Sequence, residues 1–267
     1  MSALHSLRPA VGGLVRNPIL LVITGVFALF QVPQLVLQSQ YPLLSTVVSL
    51  LMTGVLIVLL PFYQGGIIGM SNEALTGTTR ISSMIEAGKS NYVALLLAYL
   101  VILAANIVFG IVAAAVAIGG GLGFLVGEGQ PSMAVLAVVG LLGLGLVLVY
   151  LLFIIGIQFY AHAIVLNNTE VIDGFKQSVR LVRQNKLSVI GYTILMFLGG
   201  AVLGLGSGAA SLVFSPDLGV DSALPEFSLP LVILGLILYI GIAAVFGAFY
   251  GMYSVSFYQS VNVDRPL

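Results

Sequence analysis

Six long stretches of this chain hold no Lys, Arg, Asp or Glu, and each is long enough to cross a bilayer. They run at about Ile19–Leu37, Leu43–Met70, Tyr92–Val126, Met133–Leu166, Leu187–Phe214 and Leu229–Tyr258. Roughly 20 mostly apolar residues cross about 30 Å of hydrocarbon as a helix. No water meets the backbone there, so only helices and closed barrels are viable. Barrel strands alternate apolar and polar residues over about ten positions, whereas these runs are continuous. The expected fold class is therefore all-α, a polytopic membrane helix bundle with six transmembrane helices. Several runs exceed one span, which predicts tilt or extension past the bilayer. The first run is expected to remain as a span. It exceeds the roughly 7–15 residues of a signal-peptide core, and Gln38-Ser39-Gln40 is no small-residue cleavage site.

Composition agrees. Of 267 residues, 60% are hydrophobic and 7% charged, against roughly 25% charged in soluble domains. The mean hydropathy of +1.17 makes lipid the solvent for much of the surface. The net charge is zero, so no global field favours nucleic acid as a partner. The absence of cysteine excludes disulfides, thiolate metal sites and Cys nucleophiles.

The Lys and Arg residues fall into four patches: Arg8 and Arg16; Arg80 and Lys89; Lys176, Arg180, Arg183 and Lys186; and Arg265. Three turns carry neither: Gln38–Pro42, Gly127–Ser132 and Ser215–Ser228. The last two hold Glu128, Asp217, Asp221 and Glu226. Cytoplasmic loops carry the excess of Lys and Arg. Both termini and the basic loops are therefore expected in the cytoplasm, with the chain a multi-pass protein of the cell membrane. The longest loops are about twenty residues, so residues 1–267 read as a single integral membrane domain.

The basic segments read as amphipathic cytoplasmic helices. From Glu170 to Lys186, Asn168 or Thr169 is placed to cap the start, and Glu170 and Asp173 suit the positive end of the helix dipole. At 100° per residue, Val171, Ile172, Phe175, Val179 and Val182 share one arc, with Leu181 off it. Lys176, Arg180 and Arg183 line the arc's edge, which suits a helix lying in the membrane interface with its cations toward headgroups. With Lys186 they form the candidate lipid-headgroup site, and membrane lipids are the expected partners. The N-terminus repeats the pattern with Leu4, Leu7, Val11 and Leu14, and Pro9 is tolerable in a first turn. The segment Glu73–Lys89 is a poorer case, rich in Ser and Thr.

A shift of 97 positions brings Phe62-Tyr63 onto Phe159-Tyr160, Glu73 onto Glu170, Gly77 onto Gly174 and Lys89 onto Lys186. Phe249-Tyr250 echoes the same pair. These matches predict three parallel units of a cytoplasmic helix plus a transmembrane hairpin, at 1–70, 71–166 and 167–260. Resemblance between any two interfacial helices set between apolar runs is the other reading.

Few side chains inside the runs carry chemistry. Polar groups at membrane depth mark function by default. Asn106 is near the middle of the third run, and an interhelical hydrogen bond accounts for it as well as a solute path does. Gln158 and His162 sit one turn apart in the fourth run, with Gln64 and Gln259 at comparable depth. They line a vestibule in one reading. In the other they are interface-level polarity beside a belt of Tyr63, Tyr160, Tyr250, Tyr253 and Tyr258. His162 has only His5 as a fellow histidine and no acidic cluster beside it, so no metal site is expected. Signatures of hydrolases, metalloproteases and nucleotide binding are missing, and no cofactor is expected. Gly119, Gly123 and Gly127, like Gly200, Gly204 and Gly208, recur every four residues. That spacing lets another helix approach closely, within the chain or in a homo-oligomer. Pro33 and Pro61 interrupt the first two runs, and kinks there would suit a transporter.

The segment Glu170-x-x-Asp173-Gly174-Phe175-x-x-Ser178-x-x-Leu181-Val182-Arg183-x-Asn185 follows a long run containing Phe159-Tyr160. It resembles the recurring loop of multi-pass families typified by the membrane domain of glycerophosphoryl diester phosphodiesterases and by related bacterial and archaeal membrane proteins. The specific part covers about twenty-five residues. In the phosphodiesterases catalysis belongs to a separate soluble barrel, which has no counterpart here. The resemblance thus implies a membrane domain alone. The expected function is non-enzymatic organisation of lipid or protein partners; the alternative is a transporter or channel for a small solute.

Overall fold

A computed structural model describes residues 2–30, 42–126, 133–214 and 229–262. Among these residues there are helices and no strand, as the fold class requires. Helices α1 (Ser2–His5), α2 (Leu7–Arg16) and α3 (Ile19–Leu29) precede the 35-residue α4 (Pro42–Thr76). Then come α5 (Ile81–Ser90), α6 (Tyr92–Val126), α7 (Met133–Ile157) and α8 (Tyr160–Asn167). Helices α9 (Val171–Gln184), α10 (Lys186–Phe214) and α11 (Leu229–Val261) complete the chain. Four helical stretches are long and apolar enough to cross a membrane alone, and the count reaches six when each of two bent helix pairs is one span. At about 1.5 Å per residue, a 35-residue helix is roughly 50 Å long, so α4 and α6 outreach the hydrocarbon.

One order recurs three times: a short helix, an elbow, an apolar helix, and a returning helix. It runs as α2–α3–α4, as α5–α6–α7/α8, and as α9–α10–α11. An asparagine sits at each elbow. The Nδ2 groups of Asn17, Asn91 and Asn185 each donate to the carbonyl four residues back, on Gly13 (2.9 Å), Ala87 (3.0 Å) and Leu181 (3.2 Å). Each asparagine's own carbonyl then accepts an early N–H of the next helix, from Leu20, Leu95 and Val189. One side chain thus closes the old helix while its backbone opens the new one, a role suited to Asn because its short amide reaches local backbone. The turns at Asn17 and Asn185 bend the pairs by 88° and 104°. Asn91 and Asn185 are 94 positions apart, so the elbows align on a shift three residues shorter than the one that matches Lys89 to Lys186.

Each short helix lies against the returning helix before it: α5 on α4, α9 on α7 and α8, and α2 on the last helix, α11, which closes the ring. Glycines permit the approach. A Cβ on Gly88 would stand 2.8 Å from the Phe62 ring and 2.9 Å from its carbonyl. On Gly13 it would collide with Met252, and on Gly69 with Ala87.

The buried core sits at the end of the bundle that carries the short helices. It takes Ile67, Met70 and Ala74 from α4, 159–164 from the start of α8, and Met252–Tyr258 from α11. Toward the far ends the helices part: Leu51, Leu141, Leu205 and Leu238 are all more than half exposed. The eight basic residues among those described are exposed and lie on or beside the short helices, and that end is called the basic side below.

Several local expectations need correcting. Glu170, in extended backbone, is the residue before α9, while Asn168 adopts φ 50° and ends α8. Asn tolerates the left-handed region, so it stops the preceding helix instead of starting the next. Glu73 belongs to the last turn of α4, where its carboxylate accepts from Thr79 Oγ1 (2.7 Å), and the second short helix starts only at Ile81. Pro61 is buried inside an uninterrupted α4. Pro33, Gly127 and the three turns free of Lys and Arg lie wholly or largely outside the described residues.

Candidate functional site

Two features of the basic side carry polar chemistry. The first is α9. Gly174, Ser178 and Leu181 are its buried residues, one stripe at helical spacing. Gly174 fits under the Tyr160 carbonyl and Ile164, since a Cβ there would stand 3.4 Å and 2.9 Å from them. Leu181, the residue off the apolar arc, is the large apolar side chain of α9 that the protein covers most, at 4% exposed. The arc itself divides. Phe175 and Val182 rest on the core and Phe175 stacks on Tyr160 at 5.3 Å, while Ile172 is 67% exposed. Protein thus takes one edge of α9 and leaves an apolar strip bordered by cations.

That strip contains a groove of about 490 Å³ lined by Phe175, Lys176, Val179, Arg180, Arg183 and Gln184. Lys176 pairs with Asp173 at 3.1 Å, both side chains well exposed. Such an exposed pair stabilises by well under 1 kcal/mol, so Lys176 stays available to other anions. Arg180 and Arg183 have no ion-pair partner among the described residues. Lys186 is separated from them by the Asn185 elbow and opens α10.

The second feature is the meeting of the returning helices. Three hydrogen bonds join them pairwise. Tyr160 OH donates to Gln64 Oε1 (3.1 Å), linking α8 to α4. Asn167 Nδ2 donates to Tyr258 OH (2.8 Å), linking α8 to α11. Gln259 Nε2 donates to Asn72 Oδ1, linking α11 to α4. Gln64 and Gln259 are therefore occupied in helix contacts. The tyrosines expected in an interfacial belt are partly core residues: Tyr160 is 8% exposed, and Tyr253 and Tyr258 are fully buried. Their hydroxyls find partners inside, that of Tyr253 on the Ala3 carbonyl at 3.1 Å.

Beside this triangle a two-residue turn interrupts the helix of the fourth span, Met133–Asn167, without bending it into two spans. Helix α7 stops at Ile157 and α8 starts at Tyr160. Ser178 Oγ, reaching from α9, donates to the Gly156 carbonyl (2.8 Å) and accepts from the Phe159 N–H (3.1 Å). Gln158 lies in the break, with Oε1 accepting from Thr193 Oγ1 at 3.3 Å. His162 follows one turn later, buried, its ring 5.4 Å from Tyr258 and 5.9 Å from Phe159.

Asn106 is elsewhere. It donates to the Ile102 carbonyl (2.9 Å) and accepts from Tyr150 OH (2.8 Å), joining α6 to α7. A lipid-side crevice of about 300 Å³ lies alongside, lined by Phe109, Gly110, Ala113, Leu146 and Val147. Asn106 thus shares no hydrogen bond with Gln158 or His162. Gly119, Gly200 and Gly204 have no atom within 4 Å of where a Cβ would stand, so they mark no close helix approach among the described residues. The surroundings of Gly123 and Gly208 lie outside the described residues. No group of three His, Asp or Glu side chains forms a metal-sized cluster among the described residues.

Asn17 and Asn91 escaped the sequence reading, and Ser178 and Asn185 entered it only as positions of the loop motif, without a role. A signal existed: Asn17, Asn91 and Asn185 each stand where a basic segment gives way to an apolar run. For Ser178 the loop motif marked the position but not the role, because its partners are backbone atoms 22 and 19 residues away.

Residues 1–261 match a family described as a domain of unknown function, DUF7847. No curated protein matches the chain, and no solved structure matches it.

Proposed function

We propose that this chain, which belongs to the DUF7847 family, is a non-enzymatic membrane domain that gathers anionic lipid in one leaflet. The observation that carries the reading is the cation-bordered groove of α9, where Arg180 and Arg183 flank Phe175 and Val179 with no ion-pair partner among the described residues. An anionic headgroup with its acyl chains beneath satisfies both halves of that surface. Seated on the bundle through Gly174, Ser178 and Leu181, α9 is held at fixed depth and needs no folding on contact. The positive-inside rule puts the basic side in the cytoplasmic leaflet of the cell membrane, with the N-terminus cytoplasmic and the chain multi-pass. We read the three short-helix units as copies of one module, on the strength of the three asparagine elbows. The loop resemblance to phosphodiesterase membrane domains points the same way, toward a membrane module without catalysis.

The test is lipid retention. Full-length protein is extracted from a mixture of phosphatidylglycerol and phosphatidylcholine and weighed by native mass spectrometry. The variant Lys176→Gln/Arg180→Gln/Arg183→Gln is expected to lose most bound phosphatidylglycerol, whereas Arg80→Gln/Lys89→Gln loses little. Equal retention in the two variants would sink the reading. A transporter for a small neutral solute is the second reading. The two-residue turn at Gln158–Phe159 within the fourth span favours it, since interrupted helices form many transporter sites. The Asn106–Tyr150 bond counts against Asn106 lining its path.

A further inference from the structure

We propose that the break at Gln158–Phe159 is a hydration site, in which water is held between His162 and Gln158 inside the basic side of the bundle. The inference is independent of lipid binding by α9. A broken helix in a membrane leaves backbone groups to satisfy, and such breaks persist only where protein or water does so. Here Ser178 serves the backbone, bridging the Gly156 carbonyl and the Phe159 N–H. The side chains at the break are not served. Both ring nitrogens of His162 and Nε2 of Gln158 are buried and have no hydrogen-bond partner among the described residues.

The neighbours cannot rotate to help. The imidazole packs in a three-ring cluster with Phe159 and Tyr258, at 5.9 Å and 5.4 Å, the two being 6.1 Å from each other. Gln158 has its oxygen on Thr193 Oγ1, and exchanging its amide O and N would leave the oxygen unmet instead. A neutral imidazole offers one donor and one acceptor, and an amide nitrogen offers donors only. The guest must therefore accept at least one bond and donate one, and water does both while taking two to four polar partners. A bound cation fits worse, because no described carboxylate bonds either side chain. A dry site fits worse still. Phe and Leu would fill this place without the cost of unpaired polar atoms, as the buried apolar residues next to His162 in the chain, Ala161, Ala163 and Ile164, do.

Two histidines make the test simple, since His5→Gln leaves His162 as the one imidazole in the chain. Full-length His5→Gln protein, labelled with ¹⁵N-histidine and placed in lipid nanodiscs, is examined by NMR for magnetisation transfer from water to the ring. A cross-peak between water and the His162 ring N–H is expected. A resolved ring spectrum without that transfer overturns the proposal. Adding Gln158→Leu, which keeps the imidazole and removes its co-ligand, is expected to weaken the transfer at least twofold. Unchanged transfer overturns the role given to Gln158. Should that variant fold poorly, Thr193→Val supplies the same comparison by freeing the Gln158 oxygen: its transfer is expected to change, and constancy overturns the role equally.

Discussion

Helix α11 contains both halves of the molecule in one element. From Met252 to Tyr258 every residue is buried. About four to five turns earlier Leu234, Ile237 and Leu238 are each more than half exposed. Hydrophobicity does not separate the two stretches, since both are predominantly apolar. What separates them is chemistry that a lipid tail cannot match. The buried stretch holds Tyr253 and Ser256, whose hydroxyls donate to the carbonyls of Ala3 (3.1 Å) and Ser6 (3.0 Å). It also holds rings that continue a stack through Tyr192, Phe257 and Phe159, with Tyr192 and Phe257 at 4.5 Å. The exposed stretch holds aliphatic side chains and glycine. In lipid an aliphatic side chain gains little by leaving acyl chains for another helix. Helices therefore close where hydrogen bonds, rings and small residues occur together, and part where only aliphatic contact is on offer.

The largest test of this contrast pairs two glycines. Gly88→Val should destabilise by about 3 kcal/mol, the upper end for overpacking, because its Cβ meets the Phe62 carbonyl at 2.9 Å and backbone cannot step aside. Gly140→Ala, on α7 with nothing within 4 Å, should be neutral or stabilise by about 0.5–1 kcal/mol through helix propensity. Reversible unfolding in mixed micelles, followed by circular dichroism, reads both. Equal losses would mean that the parted half is packed after all, by a second copy or another helix.

A smaller effect grades the packed half internally. The three elbow asparagines make the same local bond but differ in what else they hold. Asn17 is buried, donates also to the carbonyls of Ala74 (3.4 Å) and Gly77 (3.1 Å), and accepts the Thr79 N–H (2.8 Å). Asn185 adds the Val261 carbonyl (3.4 Å). Asn91 adds only its neighbour Ser90 (3.0 Å). Replacement by Ala should cost about 2, about 1 and about 0.5 kcal/mol respectively, the first most because it strands a buried N–H. Three equal losses would say that the elbow bond alone matters and the cross-links do not.

Much of the architecture is written locally and so could be read from the chain. Charge-free runs specify spans, and the segments that flank them specify short helices, because both depend on residues near in sequence. The α9 stripe shows where local reading stops. Hydrophobic periodicity put Ile172 on an arc turned to the membrane interface, and the protein indeed leaves Ile172 67% exposed; what it left unplaced is Leu181, off the arc yet 4% exposed and held against protein. In lipid, burial against protein follows fit and hydrogen bonding more than hydropathy, so Gly174 and Ser178, which no hydropathy scale ranks as core, define the protein face. The site was half legible for a related reason. Gln158 and His162 stood out because polar groups at that depth need an explanation, but Ser178, which holds the break between them and α9, acts across 19 to 22 positions. Asn106 looked equally distinctive and belongs to a different contact.

Asn106 also gives the smallest and most discriminating prediction. It is a polar bond in the half where helices part, so it tests whether one hydrogen bond suffices to hold two spans together. The α6–α7 crevice beside it, lined by Phe109, Gly110 and Ala113, is open, and the bond is seconded by the Phe109 ring, 5.2 Å from Tyr150 and 5.6 Å from Phe153. Interhelical bonds of this kind average about 0.6 kcal/mol in membranes, because the separated helices also find partners. Asn106→Leu and Tyr150→Phe should therefore each cost about 0.6 kcal/mol, and the double variant no more than either alone, a coupling that a thermodynamic cycle measures directly. Additive losses would mean that Asn106 and Tyr150 serve separate partners. In a transporter whose path runs along Asn106, Asn106→Leu would abolish solute flux while Tyr150→Phe, which keeps the ring, would spare it. Equal, small and coupled effects on stability, with no difference between the two in any flux assay, leave the bond as a helix tie and leave the polar work of the molecule to the basic side.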